Sequence, residues 1–465
     1  MRMKLLMVMG VAAFTAIAGQ GFTQDRPVDP EVYEKLDVFA HVLEKIRTSY
    51  VEEVTETGVI ENAINGMLTS LDPHSGYLKK DEMQELKQQT QGKFGGLGIE
   101  VTMDNGLVKV VSPIEDTPAA LAGLQTNDYI IRIDAKDVQG MSLKDAVDSM
   151  RGAPGSKVKL VILRESEKRT FPVTLTRSEI KVKPIKSKLL ANGIGYLRIT
   201  SFNDYADNSM RDHMKALEAA NKGPLNGLVL DLRNNPGGLL TQAISVSDDF
   251  LNDGEIVSTR GRIAGQDSRY TARSGDLLNG KPMVVLINGG SASAAEIVAG
   301  ALQDNRRAVL LGTKSFGKGS VQTIFDLPGD TGMRLTTALY YTPSGKSIQA
   351  HGIVPDIEQK PLKTKEQARL DMEDSDLPSE ASLLGHLSAG KAAEVSQTAP
   401  RADLPQSIYA PVAEKSPSDT LAGMDSKPDA QLDRAVSVLR ALIVWPQTSG
   451  VAGKAAAVST TSTSH

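Results

Sequence analysis

A chain of 465 residues with 52 basic and 56 acidic side chains has a net charge of −4 and a pI near 6.0, which offers nucleic acid no electrostatic footing. It contains no cysteine, so disulfides, thiolate metal sites and cysteine nucleophiles are excluded, and an oxidising compartment is permitted. The length suits roughly three domains of about 150 residues.

The chain opens with Arg2 and Lys4 ahead of an apolar run from Leu5 to Ala18, and Ala16 and Ala18 form a small-residue cleavage pattern before Gly19. This reads as a signal peptide over residues 1–24, the run being shorter than the roughly 20 residues that span a bilayer. An exported, periplasmic protein is expected, tethered to the membrane if the signal stays uncleaved. Over residues 25–92, Leu36, Phe39, Leu43, Ile46 and Tyr50, then Ile60, Ile64, Met67, Leu68 and Leu71, recur at helical spacing. These amphipathic helices pack either on the chain's own core or on a second copy, as a homo-oligomer.

Residues 93–178 change to β alternation. Ile99-Glu100-Val101 and Leu107 to Val111 flank Asp104-Asn105-Gly106, where Asn-Gly suits a tight hairpin. Strands follow at Tyr129 to Ile133, Val158 to Arg164 and Arg169 to Leu175, and Ser142-Leu143-Lys144-Asp145 is a capping box for a helix carrying Ala146, Val147 and Met150. A small barrel with one such helix, opening on Phe94-Gly95-Gly96-Leu97-Gly98, resembles a PDZ domain.

Residues 179–360 alternate strands and helices, as an α/β domain requires. Leu228 to Arg233 is a buried strand followed by a Gly-Pro turn and a helix with Leu240, Ala243 and Ile244; Met283 to Asn288 repeats the pattern before a helix with Ile297, Val298 and Ala301. Two such units place their loops on one rim, where α/β proteins put chemistry. Beyond residue 360 the composition turns to Ala, Ser, Lys, Glu, Asp and Pro, which predicts a largely disordered tail over 361–465. A helical island near 430–442 carries Leu432, Val436, Leu439 and Leu442, with the spacing to dock on the body.

On that rim Gly289-Gly290-Ser291-Ala292-Ser293-Ala294-Ala295-Glu296 and Phe316-Gly317-Lys318-Gly319 read as a serine nucleophile and its lysine base. A lysine deprotonates a serine only when neutral, which calls for burial; the apolar Phe316 and Val321 suit this. Ser293 lies where a strand gives way to a helix, so the free amide of Ala294 is an oxyanion donor, and a second comes from Gly237 or Gly238 in the facing Asn234-Asn235-Pro236-Gly237-Gly238 loop. Taken singly, each residue has a plainer reading: the serines as helix caps, the lysine as a solvated loop residue. Gly312-Thr313-Lys314-Ser315-Phe316-Gly317-Lys318 fits a phosphate-binding loop up to the position where Gly319 replaces the magnesium-binding hydroxyl. The six histidines, among them His74, His213 and His351, carry no triad motif, and no metal-ligand spacing occurs, so neither metal nor cofactor is implied.

Together with Asp231-Leu232-Arg233 before the Asn-Pro-Gly-Gly loop, Gly319-Ser320-Val321-Gln322 and Tyr341-Thr342-Pro343-Ser344-Gly345, these motifs closely resemble the C-terminal processing peptidases, or tail-specific proteases. The resemblance implies an α/β multidomain protein: a crotonase-like α/β protease core with an inserted PDZ domain and an N-terminal helical region. It implies Ser293 as nucleophile, Lys318 as general base and Gln322, one helical turn on, as the residue orienting the lysine amine, with Asp304 structural. Ala295 departs from the serine of many relatives. Substrates would be proteins or peptides with accessible C-termini, delivered directly or by an adaptor. Such a tail would lie beside Ile99 to Val101, its carboxylate on the Gly95 to Gly98 amides and its last side chain beside Phe94 or Val147, with Arg151 as a sensor. The rival readings are a catalytically inactive PDZ scaffold on a protease fold and small-molecule acyl transfer on a crotonase-like fold.

Overall fold

The protein, a computed structural model, is described over residues 29–114, 116–263, 265, 267–361, 378–388, 400–409 and 429–452. The expected signal and much of the 361–465 tail lie outside these residues. The chain divides into two compact units, residues 1–64 and 65–465. In the first, helix Pro30–Ser49 starts at Asp29, whose Oδ1 accepts the Glu31 N–H at 3.1 Å, and Pro30 has a φ already suited to a helix. None of its residues is buried; Val32, Tyr33, Leu36, Phe39 and Val42 are all exposed.

The second unit is built on a six-stranded sheet in the order Ile185–Leu190, Ile194–Ile199, Gly227–Asp231, Met283–Ile287, Val309–Gly312, Ile357–Glu358. The first pair is antiparallel and the rest run parallel. The inner strands are buried on both faces, which is why they read as unbroken apolar runs. Leu228 and Leu230, Val285 and Ile287, and Leu310 face one core with Met210 and Met214, Ala243 and Val246, and Ile297 and Val298. These partners come from helices Ala206–Asn221, Leu240–Asp248 and Ala294–Asp304. The alternating residues Val229, Val284, Leu286, Val309 and Leu311 face the other core, where helix Ala430–Ala452 supplies Leu432, Ala435, Val436, Val438, Leu439 and Leu442. So the apolar island of the tail packs on the middle strands of this face, alongside Ile408 and Tyr409.

A second, antiparallel sheet runs Gly76–Leu78, Thr331–Tyr341, Glu255–Gly261, Ser268–Thr271, with Ser320–Leu327 also pairing Thr331–Tyr341. Between residues 93 and 181 a separate sheet, Ile99–Asp104, Leu107–Pro113, Tyr129–Ile133, Lys157–Arg164, Arg169–Thr176, wraps its own core of Val108, Ile130, Leu160 and Ile162. Its hairpin turns at Asn105 and Gly106, φ 52° and 78°, as the Asn-Gly pair requires. Ser142 and Asp145 cap the start of helix Leu143–Met150 reciprocally, and the Arg177 guanidinium caps its end, donating to the Met150 and Ser149 carbonyls at 2.8 and 3.0 Å. A ribbon of Lys93–Gly96 against Ser178–Lys181 closes the entry and exit of this region.

Candidate active site

Three loops leave the C-terminal ends of neighbouring parallel strands, after Asp231, Ile287 and Gly312, and meet at Ser293. Ser293 has φ 54° and ψ −114°, a backbone conformation away from the left-handed helical well that strains a side-chain-bearing residue. It is half-buried, just ahead of helix Ala294–Asp304. Ser291, fully buried, is structural: its Oγ donates to the Leu232 carbonyl at 2.8 Å and accepts the Asn288 N–H at 3.0 Å. Asn288 Oδ1 accepts the Asn234 N–H at 2.9 Å, and the Asn235 carbonyl accepts the Ala292 N–H at 2.9 Å. The Asn-Pro-Gly-Gly loop is thereby stapled to the serine turn.

Glycine is needed at 237 because a Cβ there would sit 2.8 Å from Ser293 Cβ, at φ 101°. Its N–H is engaged by Asn235 Oδ1 at 2.9 Å. By contrast, the amides of Gly238 and Ala294 donate to nothing among the described residues. One of these amides directly follows the serine, and the other lies one residue beyond the glycine that packs on Ser293.

Glu296 was not singled out as a site residue, yet it joins the two halves of the proposed dyad. Its carboxylate is fully buried; Oε2 accepts the N–H of Ser293 at 2.8 Å and of Lys318 at 2.9 Å, while Oε1 accepts the Gly317 N–H at 2.7 Å and the Ser315 hydroxyl at 2.5 Å. Burial pushes its pKa up to about 7, against those four hydrogen bonds, which favour the charged form. The signal available in the sequence was the Ser-x-x-Glu spacing of a capping box.

Lys318 is half-buried, and burial holds its pKa below the usual lysine range, helped by the charge of Arg334 and opposed by Glu380, Asp72 and Glu296. Its amine and the Ser293 hydroxyl do not hydrogen-bond to each other. The loop from Gly312 to Gly319 leads into strand Ser320–Leu327, with no helix after it to cradle a phosphate. Gln322 consequently lies on a strand and not one helical turn beyond the lysine, because its segment pairs with Thr331–Tyr341. Its amide donates to Ser320 Oγ at 2.9 Å and Thr336 Oγ1 at 3.4 Å. Thr336 in turn donates to Asp72 at 3.1 Å. Asp304 accepts the Ser344 N–H at 2.9 Å, away from the serine.

The second candidate surface is a pocket of about 80 Å³ lined by Phe94, Gly96, Leu97, Gly98, Ile99 and Val147, together with Arg151. The guanidinium of Arg151 stacks 4.9 Å from the Phe94 ring centre. Gly95 packs against the Gly152 carbonyl, where a Cβ would come within 2.1 Å. The Leu97 and Gly98 amides have no acceptor among the described residues, so the loop can receive a carboxylate beside an apolar hollow.

Residues 193–359 match the model of peptidase family S41, residues 95–175 that of the PDZ domain, and residues 10–82 that of the activating protease CtpB N-terminal domain. The chain is 50% identical over 370 residues to a carboxy-terminal-processing protease of Bartonella bacilliformis, covering 78% of this chain and 84% of that one. It is 33% identical to the carboxy-terminal processing protease CtpB of Bacillus subtilis, covering 77% of each. Among solved structures, the photosystem II D1 C-terminal processing protease is 29% identical, with a TM-score of 0.42 over 70% of this chain and 92% of that chain. The 50% identity over 78% of this chain, together with the two family matches, makes the chain a member of peptidase family S41, a carboxy-terminal processing protease with a PDZ domain.

Proposed function

We propose that this protease is an exported serine endopeptidase in which Ser293 attacks and Lys318 is its base. The observation that carries the reading is Glu296, whose single carboxylate binds the backbone amides of both residues and so sets the two loops in register. Neutral Lys318 takes the Ser293 proton as the hydroxyl oxygen attacks the peptide carbonyl. The free amides of Ala294 and Gly238 receive the oxyanion, with Gly238 the better placed of the glycines because Gly237 already serves Asn235. The Lys318 ammonium then protonates the leaving amine, and water hydrolyses the acyl ester with the lysine again as base. Every proton and bond in the cycle is accounted for without a cofactor. In this reading the serine and lysine side chains close to hydrogen-bond distance when substrate binds, as catalytic groups often do.

Substrate choice falls to the PDZ pocket, with the tail carboxylate on the Leu97 and Gly98 amides and an apolar last side chain beside Phe94 and Val147. Gln322 acts through the Thr336 and Asp72 network beside the lysine. The exposed apolar positions of helix Pro30–Ser49 support self-association, an adaptor would act at the PDZ pocket, and Arg2, Lys4 and the Leu5 to Ala18 run support export. Among the described residues, no helix is long and apolar enough to cross a membrane.

The test is cleavage of an unfolded reporter with a free apolar C-terminus. Wild type cleaves it, Ser293→Ala and Lys318→Ala do not, and amidation of the reporter's terminus slows the reaction. Full turnover in either variant overturns the dyad; binding without cleavage by wild type favours the inactive scaffold.

A further inference from the structure

Residues 378–388 form a short segment whose side chains are exposed or half-exposed, Leu384 at 99%, with one exception. That exception is Glu380, at 0%. A segment anchored by a buried carboxylate instead of an apolar side chain is unusual, since the charge loses its hydration and needs several partners to offset the loss. Here the partners converge on the lysine loop. The Glu380 N–H donates to the Phe316 carbonyl at 3.0 Å. Its carboxylate lies 2.8 and 3.0 Å from His74 Nε2 and accepts Gln349 Nε2 at 2.8 Å. Gln349, also fully buried, accepts the Gly319 N–H on its Oε1 at 3.0 Å. The loop is thus gripped from two sides: Glu296 takes the amides of Gly317 and Lys318, and Glu380 with Gln349 takes the Gly319 amide and the Phe316 carbonyl.

We propose that Glu380 is a positioning residue for the catalytic lysine, working through Gln349 and His74, so that the segment around it completes the active site from the far side of the chain. The proposal rests on Lys318 being the base. Glu380 does not touch substrate; it fixes the loop that carries the amine and places a negative charge near it. Burial opposes that charge, but the bonds from His74 and Gln349 hold the Glu380 pKa below the usual range. The charged groups that act on Lys318 are Arg334 on strand Thr331–Tyr341, Asp72 in the loop beside His74, Glu296 on the helix after Ser293, and Glu380. Arg334 is tied to the same cluster, donating to the His74 carbonyl at 2.7 Å.

The sign of the electrostatic effect follows. Activity rises with pH as Lys318 loses its proton, and a neighbouring anion holds that proton on. Glu380→Gln keeps the shape and removes the anion, so the acid limb of the kcat/KM profile moves to lower pH. Glu380→Ala also frees the loop, and the plateau kcat falls about 10-fold or more with KM little changed. Gln349→Leu breaks the bridge and keeps the charge, so kcat falls without a downward move of the limb. Titration of Glu296 is common to all these proteins and does not shift the comparison. Full-length protein is assayed on the free-tail reporter, with Ser293→Ala alongside. If Ser293→Ala still cleaves, the serine–lysine reading fails and takes this proposal with it. If Ser293→Ala is dead but the Glu380→Gln limb coincides with wild type, or Glu380→Ala keeps its plateau within twofold, Glu380 is a structural anchor only and the proposal is overturned. Should Glu380→Ala not fold, the limb of Glu380→Gln decides.

Discussion

The PDZ domain and the peptidase core are held together over different stretches of chain. In the PDZ domain each strand of the main sheet pairs with one close by in sequence, and the core of Val108, Ile130, Leu160 and Ile162 is drawn from residues 97–175. The peptidase core depends on distant partners. Asp72 accepts the Thr336 hydroxyl, Arg233 pairs with Asp429, and Leu439 packs in the cluster with Val229 and Leu286. A region closed by local contacts can be inserted into another fold and melt by itself, whereas one closed by remote contacts melts as a single cooperative body.

The largest way to break this contrast is Arg233→Ala. Arg233 bridges Asp231, fully buried, and Asp429 with paired hydrogen bonds of 2.7–2.9 Å, and Tyr196 donates to Asp231 at 2.8 Å. Removing the guanidinium leaves a buried carboxylate uncompensated, a loss of about 3–5 kcal/mol, read as a lower urea midpoint for the core. Next, Leu439→Ala and Ile162→Ala each delete a fully buried side chain and cost about 2–5 kcal/mol. Leu439→Ala is expected to move the core transition and Ile162→Ala the PDZ transition alone. One shared transition moving in both variants would abolish the contrast.

Smaller still is a pH effect confined to the core. Glu296 has a folded pKa of about 7 against an ordinary 4.5. Below 4.5 the carboxyl is protonated in both states; between 4.5 and 7 the folded protein holds the proton more tightly, so this group's contribution to stability falls as pH rises through that window. Glu296→Gln should flatten the decline in urea midpoint across it, with the PDZ transition unaffected; an unchanged slope would mean that Glu296 does not titrate there. The smallest effect is Lys80→Met. The Lys80–Asp330 pair is 2.7 Å apart but both partners are well exposed, so the thermal midpoint should stay where it is.

This contrast also explains what could be read from the residues. The PDZ hairpin at Asn105-Gly106 and the capping box at Ser142 are local devices, and each has the conformation its sequence predicts. The loops of Ser293 and Lys318 stand out in the sequence because small residues mark both and a strand-to-helix change marks the first. Gln322 was misplaced on a helical turn because its strand is specified by Thr331–Tyr341 and not by its own neighbourhood. Glu380 gave no signal: an acidic residue in a polar tail looks solvated until His74, Gln349 and the lysine loop are brought around it. The unbroken apolar runs at Leu228 and Met283 did carry a message about the tail. Strands apolar on both faces require two coverings, and the helices between 206 and 304 supply only one.

The second covering has a consequence for how the enzyme comes into being. Helix Ala430–Ala452 is made well after the last strand of its sheet, Ile357–Glu358. A chain synthesised from its N-terminus therefore carries the Ser293 and Lys318 loops before the helix that packs on Val229, Val284, Leu286 and Leu311 has been made. The second face of the sheet is therefore closed only once residues near Leu442 have arrived, which makes the end of the chain a late step in completing the core.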